Sequence, residues 1–367
     1  MAPRSLTRAE AQRIAVRAQL LDEDRPVDLV ETVRRLTSVQ VDGTKAVAPS
    51  ADLVLWTRLG LGYAPTHLVE ALRAHTLIEF RNRIRPADDL PLLRADMTAW
   101  RTGRDLPAWG GQRVEWVEAN AAFRRDVLAR LEESGPLTSR AIPDTCEVSW
   151  RSSGWNNNRN PVMMLESLEL RGEVANTGVR RGRDIVWDLA ARVHPAGPTL
   201  PAAEAWRQAA GRELASLGVV RHRVPKDSAE RARQPDVGEP ATIEGVRGEW
   251  RVDPAQLDRR FEGRVALLSP LDRLVFDRER MADLFAFDYQ LEMYKPAASR
   301  RFGFWALPVL AGDELVGKVD AAADHKAGLL RVHAVHQDGR WDDELAAEVD
   351  EQIDALAFWL QLDVARA

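Results

Sequence analysis

Between residues 137 and 189 the chain passes from one short helical signal to a second and then into two β-type runs, and that order restricts the fold more than any other feature of the sequence. Leu137-Thr138-Ser139-Arg140 opens the first helix, residues 161–171 form the second, and Gly172 supplies a stop. Glu173-Val174-Ala175-Asn176-Thr177-Gly178-Val179 and Asp184-Ile185-Val186-Trp187-Asp188-Leu189 then flank a turn of Arg180-Arg181-Gly182-Arg183, which reads as a hairpin. Helix, helix, hairpin is the order of a winged helix, with the hairpin as its wing.

Helical spacing upstream predicts three more helices. Ala11, Ile14, Ala15, Ala18 and Leu21 share one stripe over 7–21, and Thr7 precedes Glu10 by three, the spacing of a capping box. A second helix is predicted over 27–37 and a third over 50–59, stopped by Gly60 and Gly62. Three helices on short connections suit a helix-turn-helix type of module. Pro107-Ala108-Trp109-Gly110-Gly111 forms a turn cluster before a helix over 113–133. Beyond a helical stretch over 202–217, the Pro- and Gly-containing residues 225–248 read as an exposed loop or linker. Short strands follow at 265–268, 304–310, 314–319 and 329–335, with turns at Gly312-Asp313 and Gly328, and an acidic helix closes the chain over 343–362.

With 367 residues the chain is long enough for two or three packed modules. No window reaches the roughly 18 apolar residues of a membrane span, so the expected location is the cytoplasm, with no membrane partner. A single cysteine, Cys146, cannot form an internal disulfide, and the seven histidines lack the spacings of a zinc site. A net charge of -5 argues at first against a nucleic-acid partner. It is unevenly spread, however. Residues 338–354 hold eight acids and one arginine, whereas 171–233 hold twelve basic residues against seven acids, which makes the latter segment the candidate phosphate-facing surface. The 46 arginines against five lysines reflect a GC-rich genome before any functional choice.

Several ordered pieces resemble a known family, the winged-helix DNA glycosylases of the AlkZ and YcaQ type. They are Gln40-Val41-Asp42, the run from Asp52 to Gly60, Gly135-Pro136-Leu137-Thr138-Ser139-Arg140, Leu170-Arg171-Gly172-Glu173-Val174, Asp188 to Val193, and the longest, Leu268-Ser269-Pro270-Leu271-Asp272-Arg273-Leu274-Val275-Phe276-Asp277-Arg278. Leu284-Phe285, Phe287-Asp288-Tyr289, Leu291-Glu292, Tyr294 and Leu307-Pro308-Val309-Leu310 continue it. The resemblance implies an α+β chain of tandem winged-helix modules, a small C-terminal antiparallel β-barrel and a closing helix. The corresponding divisions are 1–106 with the Gln-x-Asp motif, 107–196 as a second winged-helix module, 197–260 as a third winged-helix-like module and linker, 261–340 as the barrel and 341–367 as the acidic helix.

It also implies excision of alkylated purines, unhooking of interstrand crosslinks, and a catalytic Gln-aliphatic-Gln or Gln-aliphatic-Asp motif, of which Gln40 and Asp42 are the Asp form. The implied partner is double-stranded DNA carrying alkylated or crosslinked purines, bound by a monomer. Two departures bear on substrate range: Pro49 and Asp52 stand where YcaQ-like members have arginine and histidine, and Glu79-Phe80-Arg81-Asn82-Arg83 replaces a Glu-Tyr-Trp-x-His-like stretch.

The motif suits the chemistry. A purine alkylated at N7 leaves without general-acid help, so the enzyme's work moves to the positive charge growing at C1′, which a carboxylate stabilises while accepting a proton from the attacking water. Asp42 fits that role and Gln40 can orient the water; hydrolysis needs no cofactor. Residues i and i+2 share a face only in extended backbone, so the motif is expected in a strand-like or turn segment, and Asp42-Gly43 is a turn signal. Without the flanking pattern Asp42 would read as a surface turn aspartate and Gln40 as a solvated glutamine. Arg58, Arg171, Arg180 and Arg181 are the candidate phosphate contacts. Trp150, Trp155 and Trp187 could be taken for base-stacking platforms, although most tryptophans pack in cores, as Trp56 and Trp359 are expected to do. Asp272 and Arg273 read as a structural corner. A winged-helix transcription regulator, or a member of the family that binds DNA without cutting it, remains open at this point.

Overall fold

Thr7 starts the first helix for a local reason: its hydroxyl accepts the Glu10 N–H at 3.2 Å while the Glu10 carboxylate accepts the Thr7 N–H at 2.7 Å. This closes the capping box that the spacing predicts and satisfies two of the helix's orphan donors. The computed structural model describes residues 2–107, 109–151, 159–222 and 235–366, so Trp155 lies outside the described residues. The chain is a mixed α+β protein that divides into two compact units. Among the described residues no helix is long and apolar enough to cross a membrane, and no cluster of His, Cys, Asp or Glu is suited to a metal ion.

The first unit comprises Met1–Pro65, Arg212–Arg223 and Gly238–Ala367. Its helices Arg8–Ala18, Leu29–Leu36 and Ser50–Leu59 lie where the periodicity puts them. Arg4–Leu6 pairs in parallel with Glu239–Ile243, which pairs antiparallel with Val246–Val252, and Val219–Arg221 completes a four-stranded sheet. Residues 239–248 are therefore not the loop that their Pro and Gly content suggested. Ala241 and Ile243 are buried while Thr242 between them is exposed, and this period-two pattern around the Glu244-Gly245 turn outweighs the composition.

A second sheet in this unit has the strand order Val265–Leu267, Leu307–Ala311, Glu314–Asp324, Leu329–Gln337, Asp363–Arg366. The first and last strands are edges, so the sheet is half a barrel rather than the closed one expected. The final strand, parallel to Leu329–Gln337, follows the acidic helix Asp343–Leu360, which from the sequence alone reads as the closing element. Ile14, Trp250, Leu274, Met281, Tyr289 and Leu310 belong to one core shared by the first helix and both sheets.

The second unit comprises Thr66–Gly211 and Val224–Val237. The helix predicted over 113–133 is two helices, Gly110–Ala119 and Ala121–Ser134. Asn120 breaks it, because its side-chain oxygen accepts the N–H groups of Glu147 and Val148 at 2.9 and 3.0 Å and its amide donates to the Trp116 carbonyl. The side chain thus replaces helix bonds with a clasp on a distant loop. Leu137-Thr138 is a short strand followed by a single helical turn, Ser139–Ala141, rather than a helix start.

The helix Asn160–Leu170 and the hairpin of Val174–Arg181 with Asp184–Leu189 follow as predicted, and Leu137–Thr138 adds a third strand beside Asp184–Leu189. Gly182 turns the hairpin at φ 64°. Gly178, also at positive φ, lies so close to Leu72 that a Cβ there would come within 2.9 Å of it. A smaller hairpin, Leu77–Phe80 with Arg83–Pro86, turns through Arg81 and Asn82, both left-handed, as a two-residue hairpin turn of this type requires.

Candidate active site around Gln40 and Asp42

The helix Leu29–Leu36 ends on Thr37, a β-branched residue at φ 60°. That conformation costs on the order of 1–3 kcal/mol and persists only where neighbours impose it. Arg273 imposes it. Its guanidinium donates to the Leu36 carbonyl at 2.7 Å, to the Thr37 hydroxyl, to the Ser216 hydroxyl at 3.0 Å and to the Glu213 carboxylate. The chain leaves this clamp into the two-residue strand Val39–Gln40, with Val39 buried and Gln40 half-buried.

Asp42 follows outside regular structure, also half-buried, and one of its oxygens accepts the Thr44 N–H at 2.8 Å. This is an Asx turn, and among the described residues it leaves the second carboxylate oxygen unpartnered. The Gln40 amide donates to the Val41 carbonyl at 3.3 Å, a weak tether. Gln40 and Asp42 thus occupy a strand end and the adjoining turn, as the i, i+2 argument required.

The other side of the motif is fixed by the same corner of the chain. Ser269 meets Ser50 hydroxyl to hydroxyl at 2.8 Å, and Thr57 donates to the Leu267 carbonyl at 2.9 Å. Asp272 accepts from Arg58 and caps Leu274 at 3.0 Å. Residues 269–273 therefore hold both the helix entering the motif and the helix leaving it, which gives Asp272 and Arg273 the supporting part assigned from sequence. Ala46 is anchored as well, its carbonyl accepting the Ala323 N–H from the long central strand.

Pro49 precedes the helix Ser50–Leu59 and makes no side-chain cap. Asp52, in its first turn, is buried and accepts the Tyr63 hydroxyl at 2.6 Å. Burial pushes the Asp52 carboxyl up, with Tyr63 and Lys45 pulling it partly back, and burial beside Asp52 pushes the Tyr63 phenol up. Tyr63 and Trp56 both stack on Trp359, whose indole N–H donates to the Tyr63 carbonyl at 2.9 Å. Asp52 thus serves internal packing rather than lining an open surface.

Three of the four candidate phosphate contacts are already engaged. Arg58 is fully buried against Asp272, also fully buried, and donates to the Gln19 carbonyl at 3.0 Å, so it cannot reach a phosphate. The helical stripe did not reveal this, because its partner lies 214 positions away. Arg171, 14% exposed, pairs with Glu173 at 2.6 Å and donates to the Trp100 carbonyl. Arg180 pairs with both oxygens of buried Glu79, at 2.7 and 2.6 Å. Arg181 remains exposed at the hairpin tip, as does Arg183, which the sequence reading did not single out. Trp150 and Trp187 are core residues, the former edge-on to Trp116.

The family model described as DNA glycosylase AlkZ-like matches residues 33–359. Among solved structures, the Streptomyces sahachiroi DNA glycosylase AlkZ is similar to this chain with a TM-score of 0.64 at 17% identity, over 99% of this chain and 100% of that one. At that identity the likeness speaks for the fold, while the family match takes in the Gln40-Val41-Asp42 motif, the clamp on Thr37 and the 268–278 corner together. This chain belongs to the AlkZ-like DNA glycosylase family.

Proposed function

We propose that this protein is a monofunctional DNA glycosylase that hydrolyses the N-glycosidic bond of N7-alkylated purines in duplex DNA and unhooks crosslinks made through the same atom. The observation that carries this reading is the Asp42 carboxylate, held by one oxygen in the Asx turn and with the other unpartnered, two residues beyond the strand end that bears Gln40. Asp42 stabilises the cation growing at C1′ and takes a proton from the attacking water. The water oxygen bonds to C1′ as the C1′–N9 bond breaks, and because that bond's electron pair stays on N9 the cationic alkylated base leaves C1′ as a neutral molecule. Gln40 orients the water through its amide. Incubating the protein with duplex DNA containing N7-methylguanine, and with N7-crosslinked DNA, tests this through release of base or appearance of abasic sites.

Arg273 is on this reading a positioning residue. Arg273→Leu releases Thr37 and lets the motif drift, and a misplacement of about 1 Å at a reacting group costs up to about 10²-fold. Single-turnover excision should fall by about 10-fold or more with DNA affinity unchanged. An unaltered single-turnover rate in a folded variant would remove Arg273 from that role.

The segment containing Ala121–Ser134, Leu137–Thr138, Asn160–Leu170 and the two hairpin strands has the element order of a winged helix, and we read its hairpin tip as the DNA contact. A transcription regulator would instead present the Asn160–Leu170 helix to the major groove. That helix has no exposed residue, which favours the glycosylase reading. Changing Arg181 and Arg183 together to alanine should weaken binding to all sequences alike and flatten the salt dependence by up to about two phosphate equivalents. An unchanged slope would mean that the tip points away from DNA.

Substrate range follows from the carboxylate in the motif's third position. A carboxylate accepts a proton from water, whereas a glutamine only polarises it, so wild type should act on simple N7-methylguanine as well as on crosslinks. Asp42→Gln should lose the first activity more than the second. Robust action on one bulky adduct, with none on N7-methylguanine, would overturn the broad range.

A further inference from the structure

The second unit contains a cavity of about 220 Å³, smaller than the roughly 300–1,000 Å³ of drug-sized sites. It lies beside the turn at Arg81 and Asn82, the start of the helix Gly110–Ala119 and one side of the helix Asn160–Leu170. Glu166 and Glu169, three apart on that helix, both line it. Glu166 faces Arg113 at 3.7 Å. Glu169 is buried, and one of its oxygens accepts the Arg81 N–H at 3.2 Å. Burial, reinforced by the like charges of Glu79 and Glu166, pushes the Glu169 carboxyl up to about 8, so near neutral pH it offers both an acceptor and an O–H donor.

Trp109 stands at the rim. It is 54% exposed, unusual for so large an apolar side chain, with the Arg81 guanidinium 5.6 Å from its ring centre.

Both guanidinium groups are already engaged, Arg113 with Glu166 and Arg81 over the Trp109 ring. The exposed part of the Trp109 ring, which also meets Trp100 at 5.1 Å, stands beside adjacent carboxyls, and this suits a flat heteroaromatic ring that presents neighbouring N–H donors along one edge. The small volume takes one ring system without its sugar and phosphate. Guanine meets these terms: N1–H and the N2 amino group address the Glu166 carboxylate, and O6 accepts from the Glu169 O–H. Adenine sets an N1 lone pair against the carboxylate and is refused.

We propose that this cavity is a binding site for a single guanine-type base, stacked on Trp109 and read along its N1–N2 edge by Glu166 and Glu169. It belongs wholly to the second unit, whereas Gln40 and Asp42 belong to the first, so base binding is measurable whether or not the motif cuts DNA. Isothermal titration of the full-length protein with 7-methylguanine should give saturable one-to-one binding. Trp109→Ala and Glu166→Gln should each weaken it about 10-fold or more, Trp109→Phe should restore most of it, and 1-methylguanine and adenine should bind at least 10-fold more weakly.

Both variants replace partly exposed side chains, and their circular dichroism should match wild type. Competition with an N7-methylguanine duplex locates the source of the base: displacement assigns the pocket to a base still joined to DNA, and persistence assigns it to the released base. Asp42→Asn should bind 7-methylguanine as wild type does, which separates this site from the proposed excision chemistry. No saturable binding, equal affinity for adenine, or unchanged affinity in folded Trp109→Ala and Glu166→Gln would overturn the proposal.

Discussion

Replacing Asp42 by asparagine should lower base excision by about 10²-fold or more while leaving the affinity for DNA and the thermal stability unchanged, because removing a group that acts only on the developing transition-state charge costs on that scale. Asparagine has nearly the same shape. Its side-chain oxygen can still accept the Thr44 N–H now held at 2.8 Å, so the Asx turn survives. What disappears is the negative charge and the ability to accept a proton from water. A purely structural turn aspartate would tolerate this change with little consequence, so the substitution discriminates between the two roles of the same residue. Single-turnover excision, together with fluorescence-anisotropy binding, reads both quantities. Wild-type excision by the variant, or a loss explained entirely by weaker binding, would take Asp42 out of the chemistry.

The largest effect on stability should come from Arg58→Met. Arg58 and Asp272 are both fully buried, joined by two hydrogen bonds, and Arg58 also donates to the Gln19 and Val54 carbonyls. Methionine fills much of the space but leaves the Asp272 carboxylate inside without a counter-charge. Stranding one partner of a buried pair costs about 3–5 kcal/mol, a large fraction of the roughly 5–15 kcal/mol by which folded domains are stable. A marked fall in the thermal midpoint is expected, and with it a loss of excision, because Asp272 adjoins Arg273 and residues 269–273 hold the helices on either side of the motif.

Adding Asp272→Asn keeps the cap on Leu274, now at 3.0 Å, and removes the stranded charge, so the double variant should regain part of the lost stability. A midpoint within experimental error of wild type for Arg58→Met alone would contradict a buried ion pair here.

Local features were the legible ones. The capping box at Thr7 and Glu10, the stripe of the Ser50–Leu59 helix and the Gly182 hairpin all lie within a few residues of their cause, and each appears where the spacing puts it. The Gln40–Asp42 motif was visible through the resemblance, and its strand-and-turn setting follows from the two-residue spacing. Features set by distant partners were not legible. Arg58 reads as an ordinary helix arginine until Asp272 is folded against it, and Arg180 reads as a free wing-tip charge until both oxygens of Glu79 accept from it.

The Asn120 break depends on Glu147 and Val148, which no helical pattern contains. The strand Glu239–Ile243 hides behind its proline because the deciding signal is alternation over only a few residues. Trp109 sits in a cluster rich in Pro and Gly, where nothing local distinguishes a rim tryptophan from a packed one; exposure beside the cavity makes the difference.

The central claim is chemical, that this chain breaks the bond between a damaged purine and its sugar through the Gln40–Asp42 motif. Its most direct test is to incubate the purified protein with a duplex carrying one N7-methylguanine and to quantify free base and abasic strand by chromatography, with Asp42→Asn beside it. The proposed function predicts equimolar free 7-methylguanine and abasic strand from wild type and at least about 10²-fold slower release from the variant. Tight binding of that duplex with no base released by wild type, or equal release by both proteins, would contradict it.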